Sequence, residues 1–133
     1  MKNIEKTLKE KGVYIGKTAG NSMRPLIEED KDTVVIVPPE FPLKKLDVPL
    51  YKRGGKYVLH RIVHVGKNSY ITCGDNCVRF ERGITPDKIV GVLCGFYHNG
   101  KYVDCKSEEY IAYSKKIYRS WILRVFKKLF RKQ

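Results

Sequence analysis

Three short stretches hold the side chains that could do chemistry together. They are Gly20-Asn21-Ser22-Met23-Arg24-Pro25, Tyr57-Val58-Leu59-His60-Arg61-Ile62 and Thr72-Cys73-Gly74-Asp75-Asn76. A serine hydroxyl is a poor nucleophile at neutral pH; it needs a base within about 3 Å and donors for the developing oxyanion. Ser22 offers such a hydroxyl, in a Gly20-Asn21 turn tight enough to expose its oxygen, and its own backbone N–H as one oxyanion donor. His60 offers the base: an unperturbed imidazole titrates near about 6.5 and is largely neutral at pH 7. Asp75 offers a carboxylate that could orient the imidazole and stabilise its charged form. Each residue also has a plainer reading. Gly-x-Ser-x-x-Pro is ordinary turn composition, a lone strand histidine is more often structural, and an Asp-Asn turn commonly bonds its own backbone. His64 is a rival base, because strand alternation puts it on the same face as His60.

The combination is more specific than its parts. Ser22-Met23-x-Pro25, a β-rich run with His60-Arg61 about 35 to 40 residues later, then Gly74-Asp75-Asn76, resembles the signal-peptidase superfamily of serine peptidases. That superfamily also includes the self-cleaving repressors. A His where bacterial housekeeping enzymes carry Lys is similar to the branch typified by the endoplasmic-reticulum and sporulation-type signal peptidases. The resemblance covers roughly residues 13–97. It implies a serine endopeptidase with Ser22 as nucleophile, His60 rather than His64 as general base, and Asp75 as a third member. It also implies that Gly20 and Asn21 line the substrate site, that Met23 lines the substrate pocket or the core, and that Pro25 shapes the exit of the turn. An extended peptide would bind as an added strand, its backbone giving affinity and pockets giving specificity. No cofactor and no metal is implied.

The chain departs from the family at three points. The family normally has a transmembrane anchor ahead of the serine, and residues 1–21 are expected not to form one. Gly20 stands where many signal peptidases carry a hydroxyl that donates to the oxyanion, so that donor is lost or taken over by Asn21. Lys31-Asp32 keeps only the Asp of a Gly-Asp pair.

At 133 residues the chain is the size of one domain. Its 27 Lys and Arg against 14 Asp and Glu leave a net charge of +13. That excess points to an anionic partner, either a membrane surface or nucleic acid. There is no run of 18 apolar residues for a transmembrane helix, and residues 1–11 are too charged for a signal peptide. The expectation is a cytoplasmic protein, peripheral on the inner membrane face. Cys73, Cys77, Cys94 and Cys105 lack paired C-x2-C spacing and read as free thiols.

The elements that must position these residues are predominantly β. Ile4 and Leu8, four apart among Lys and Glu, predict a short amphipathic helix ended by Gly12. Val13-Tyr14-Ile15 predicts a strand leading into the Ser22 turn. Asp32 to Val37, closed by Pro38-Pro39, is a buried strand; Asp47 to Tyr51 is an edge strand, because Pro49 cannot donate to a ladder. Lys52-Arg53-Gly54-Gly55 is a hairpin turn into a single strand from Lys56 to Val65. Tyr70-Ile71-Thr72 pairs back on that strand, Ile89 to Phe96 is a long core strand, and Asn99-Gly100 marks a hairpin into Tyr102-Val103.

The fold expected is a mainly β, signal-peptidase-like, barrel-like arrangement of short strands over residues 1–106, with the short N-terminal helix. Residues 107–133 are expected to form a long, basic, amphipathic helix on the order of 35 Å in length. Ser107-Glu108-Glu109 looks like its capped start. It is too polar to span a bilayer but suits lying on an anionic surface, with Trp121, Phe126 and Phe130 in the headgroups and Lys127 and Lys128 also meeting that surface. Packing of its apolar face on the β domain is the competing expectation.

Two further functions fit the composition. One is a non-catalytic, peptidase-like module that docks on a membrane or partner protein. The other is a repressor-like nucleic-acid-associated protein, disfavoured because no helix-turn-helix precedes the β domain.

Overall fold

The computed structural model describes residues 4–17, 23–28, 31–77 and 79–131, with side chains of the last helix described up to residue 123. The chain runs α1 (Ile4–Lys11), β1 (Tyr14–Lys17), β2 (Thr33–Val37), β3 (Pro49–Arg53), β4 (Lys56–Leu59), β5 (Arg61–Val65) and β6 (Tyr70–Cys73). It continues through β7 (Glu81–Ile84), a 3-10 turn (Pro86–Lys88), β8 (Ile89–His98), β9 (Lys101–Asp104) and α2 (Glu108–Arg131).

Among the described residues the strands form two antiparallel sheets, mainly β as expected, and the barrel-like arrangement does not close. One has the order β1-β2-β8-β3-β4, with β9 also paired to β8; the other is β5-β6-β7. β8 is long enough to serve two partners on one side, β3 along Ile89–Val92 and β9 along Gly95–His98. The single strand expected from Lys56 to Val65 is broken. Leu59 closes the first sheet, Arg61 opens the second, and His60 alone lies between them. A further irregularity in the β5–β6 register, between Ile62 and His64, leaves His64 exposed while His60 is buried. Side-chain alternation across the whole run, the basis for placing both histidines on one face, therefore does not hold.

β3 is interior, between β8 and β4, and not an edge. Pro49 is tolerated because it is the first residue of the strand, where a missing N–H costs the ladder little. The hairpins follow local chemistry. Gly54 and Gly55 have φ of 55° and 79°, and Asn99 and Gly100 have φ of 51° and 76°, the left-handed pairs that join twisted strands through two residues.

The main core gathers Ile4 and Leu8 of α1, Val34 and Ile36 of β2, Leu50, Leu59, and Leu93 and Phe96 of β8. A Cβ at Gly91 would run into Ile36 and crowd Leu8, so glycine there lets α1 lie close on the sheet. A second cluster, with Tyr51, Val58, Ile62, Tyr70 and Ile84, fills the space between the two sheets. The last helix crosses both. Tyr110 is buried beside Phe96 of the first sheet, with ring centroids 6.3 Å apart. Trp121 is buried against Val63 and Cys73 of the second. Buried or half-buried Tyr110, Ser114, Ile117, Tyr118 and Trp121 recur at helical spacing and make one face.

No described helix is long and apolar enough to cross a membrane. None of the four cysteines is joined in a disulfide.

Candidate active site

Gly20, Asn21 and Ser22 lie outside the described residues. The chain is described again from Met23, and its position is informative. Met23 is buried, and its Sδ accepts the Asp75 backbone N–H at 3.5 Å. The segment is tied at its other end too: Glu28 N–H donates to Asp32 Oδ2 at 2.8 Å, and the same oxygen meets His98 Nδ1 at 2.7 Å. Met23 thus joins the core and the Asp75 turn. It does not stand free as an exposed pocket residue.

Asp75 sits in the turn after β6, closed by Cys77 N–H to the Gly74 carbonyl at 2.9 Å. Among the described residues its carboxylate makes no hydrogen bond to the imidazole, although its charge favours the protonated ring. Both oxygens are taken by Arg61, Nε to Oδ1 and Nη2 to Oδ2, each at 2.8 Å, and Tyr113 Oη donates to Oδ2 at 3.1 Å. Neither Arg61 nor Asp75 exposes any side-chain surface. The orienting bond expected of Asp75 is therefore corrected: a planar guanidinium on the neighbouring strand matches a carboxylate in two bonds, which an imidazole cannot do. The remaining Arg61 nitrogen, Nη1, donates to the Leu46 carbonyl, Tyr110 Oη and Ser114 Oγ at 3.1, 3.2 and 2.6 Å. One side chain joins β5, the Asp75 turn and α2. Burial by itself would pull the Arg61 guanidinium down, but the bonds and charge of Asp75 outweigh it and hold it firmly protonated.

His60 is buried at the crossing between the sheets. Its Nδ1 faces Tyr51 Oη at 3.3 Å, and the two rings meet edge to face. The Tyr51 oxygen also contacts Thr72 Oγ1 at 2.9 Å and Glu81 Oε1 at 2.6 Å. Glu81 is bridged in turn by Arg53 Nη1 at 2.8 Å. Burial lowers the His60 pKa below its ordinary 6.5; the negative charge of Glu81 opposes this, Arg53 adds to it, and Asp75 opposes it more weakly. The imidazole is therefore neutral at pH 7, the protonation state that a general base requires. Burial, and then the bond to Glu81, push the Tyr51 phenol well above its ordinary range, so it stays protonated.

Tyr51, Thr72 and Glu81 were not singled out in the sequence. Tyr51 and Thr72 read as strand residues. Glu81 lies in Arg79-Phe80-Glu81-Arg82-Gly83, a charged segment without the alternation that marks a strand.

Trp121 is 2% exposed, and its Nε1–H donates to the Cys77 carbonyl at 3.1 Å. It belongs to the core and not to a membrane surface, correcting the role expected for it. The side chains of Phe126, Lys127, Lys128 and Phe130 lie outside the described residues. Among the described residues no group of three or more His, Cys, Asp or Glu could hold a metal ion. No protein-family model, curated protein or solved structure matches this chain.

Proposed function

We propose that this chain is a serine endopeptidase of the signal-peptidase type that cleaves an extended peptide or precursor protein, with Ser22 as nucleophile and His60 as general base. One observation carries the reading. Met23, the residue after Ser22, is anchored on the turn whose Asp75 is held by Arg61, and Arg61 is the residue after His60. Two stretches far apart in the chain are thus tied to the same ion pair, each through the immediate neighbour of a proposed catalytic residue. A neutral, buried imidazole is the second support.

In this scheme the Ser22 oxygen bonds to the scissile carbonyl carbon while His60 takes its proton. The Ser22 N–H holds the oxyanion, and His60 returns the proton to the leaving amine as the C–N bond breaks. Water then splits the ester by the same route in reverse.

A fluorophosphonate probe tests this on the full chain, since serine attack at phosphorus expels fluoride and leaves a permanent label. Wild type should label between pH 6 and 9, windows set by an imidazole base of about 6.5 or lower, and Ser22→Ala and His60→Ala should not. Labelling that survives Ser22→Ala, or none in wild type, rejects the reading. A second reading, a peptidase-like binding module without catalysis, is favoured by the commitment of Asp75 to Arg61. For either reading the outer face of α2, with exposed Lys115, Lys116, Arg119, Ile122 and Leu123, suits an anionic membrane surface.

A further inference from the structure

Asp75 leaves the imidazole without the carboxylate that a serine–histidine site normally uses. The structure offers a replacement on a different strand. An ionised carboxylate can only accept hydrogen bonds, and a phenol has one hydrogen to give. At 2.6 Å the Tyr51 hydrogen goes to Glu81. The Tyr51 oxygen can then only accept from its two other neighbours, Thr72 Oγ1 and His60 Nδ1. For His60 this requires the proton on Nδ1, which leaves the lone pair on Nε2. That is the tautomer in which Asp places the histidine of a serine triad.

We propose that Glu81, acting through the Tyr51 hydroxyl, is the positioning carboxylate of His60, fixing Nδ1 as the protonated nitrogen and Nε2 as the one that accepts a proton. The inference deepens the peptidase reading and rests on it for its purpose, but the tautomer itself can be observed without any catalysis. Tyr51 is the fixed part of the relay. It has no exposed surface, and its hydroxyl bridges β3, β6 and β7 to the crossing residue. Glu81 is the charged part, retaining 23% side-chain exposure and sharing its oxygen with Arg53. Indirect coupling through a phenol keeps the carboxylate away from the ring while its negative charge still reaches it. The groups facing the imidazole electrostatically are Glu81 and Asp75, which favour its protonated form, and Arg53, which opposes it.

The deciding measurement is the ¹⁵N spectrum of the His60 imidazole in the full-length protein, across pH. Wild type should show the neutral ring protonated at Nδ1. Tyr51→Phe keeps the ring shape and removes the acceptor; the Nδ1-protonated form should then give way to a mixture or to the Nε2-protonated form. Glu81→Gln should move the His60 titration to lower pH, and Arg53→Gln should move it to higher pH. Opposite shifts from two members of one ion pair would not arise from general loosening. A wild-type ring protonated at Nε2, or Glu81→Gln and Arg53→Gln titrating like wild type, overturns the proposal, and either variant suffices if Tyr51→Phe fails to fold. Fluorophosphonate labelling separates the two levels. If the tautomer and titration behave as stated but Ser22 never labels, the peptidase reading fails and the relay stands. If Ser22 labels normally with the ring protonated at Nε2, the relay fails and the peptidase reading stands. If both hold, Glu81→Gln should slow labelling at least tenfold, with the acid limb of its pH profile moved to lower pH.

Discussion

Arg61 and Asp75 form an ion pair that no water reaches, and such pairs are a weak argument for net stability but a strong one for mutational sensitivity. Removing one member leaves the other charged and buried. Asp75→Ala should therefore lower unfolding free energy by about 3–5 kcal/mol in denaturant titrations. A loss under about 1 kcal/mol would mean that the pair is solvated in solution. His60 makes a separate prediction. Its folded pKa is depressed, so the unfolded chain takes up the proton first as pH falls. The contribution of His60 to stability is fully present above about 6.5 and is lost as pH falls from there through the folded value. Melting curves should show a decline beginning near that pH in wild type and a flatter one in His60→Gln. At this scale the sequence was only partly legible. His60 and Asp75 stand out by type, but their partners do not. Arg61 sits beside His60 and opens β5 just after the break from β4, where its side chain is buried on Asp75. Tyr51 and Glu81 are 30 positions apart and meet because β3 and β7, in different sheets, share one core cluster through Tyr51 and Ile84.

Elements were easier to read where the signal was local. Gly54-Gly55 and Asn99-Gly100 announced their hairpins because few other residues accept positive φ. Gly12 ends α1, its N–H bonding the Leu8 carbonyl at 2.9 Å. β7 escaped notice because its burial comes only at Ile84, and β3 was misplaced because its proline was weighed without its position in the strand. The apolar face of α2 was visible as a periodicity, but periodicity does not say what covers it. Two aromatic or apolar residues near each other on this helix now separate the answers. Trp121→Ala should cost about 3–5 kcal/mol, as for a large buried aromatic. Leu123→Ala, at 62% exposure, should stay within about 0.5 kcal/mol. Equal effects in thermal or chemical unfolding would contradict the seating of α2 across both sheets.

The net charge of +13 belongs to the molecule as a whole and was readable from composition, but the surface that carries it was not. The described part of α2 turns Lys115, Lys116 and Arg119 outward next to Ile122 and Leu123. If this face meets anionic lipid, the full chain should float with phosphatidylserine vesicles and be released at high salt. Reversing the three basic residues to Glu should weaken binding by about 100-fold or more, at roughly 1 kcal/mol per basic residue lost. Unchanged flotation would remove this face from consideration. The overall class, mainly β between two helices, followed from the pattern of short apolar runs; the division into two sheets did not, because nothing in Leu59-His60-Arg61 marks a chain leaving one sheet for another.

That departure has a mechanical consequence. The imidazole rides on a one-residue hinge, so its aim is the resultant of two slabs and the crossbar laid over them. The guanidinium next door is bolted to that crossbar through Tyr110 and Ser114. A load that tilts the C-terminal helix, whatever supplies it, is delivered to the peptide adjoining the ring, and occupancy at the tail of the chain should be audible as a changed resonance at its centre.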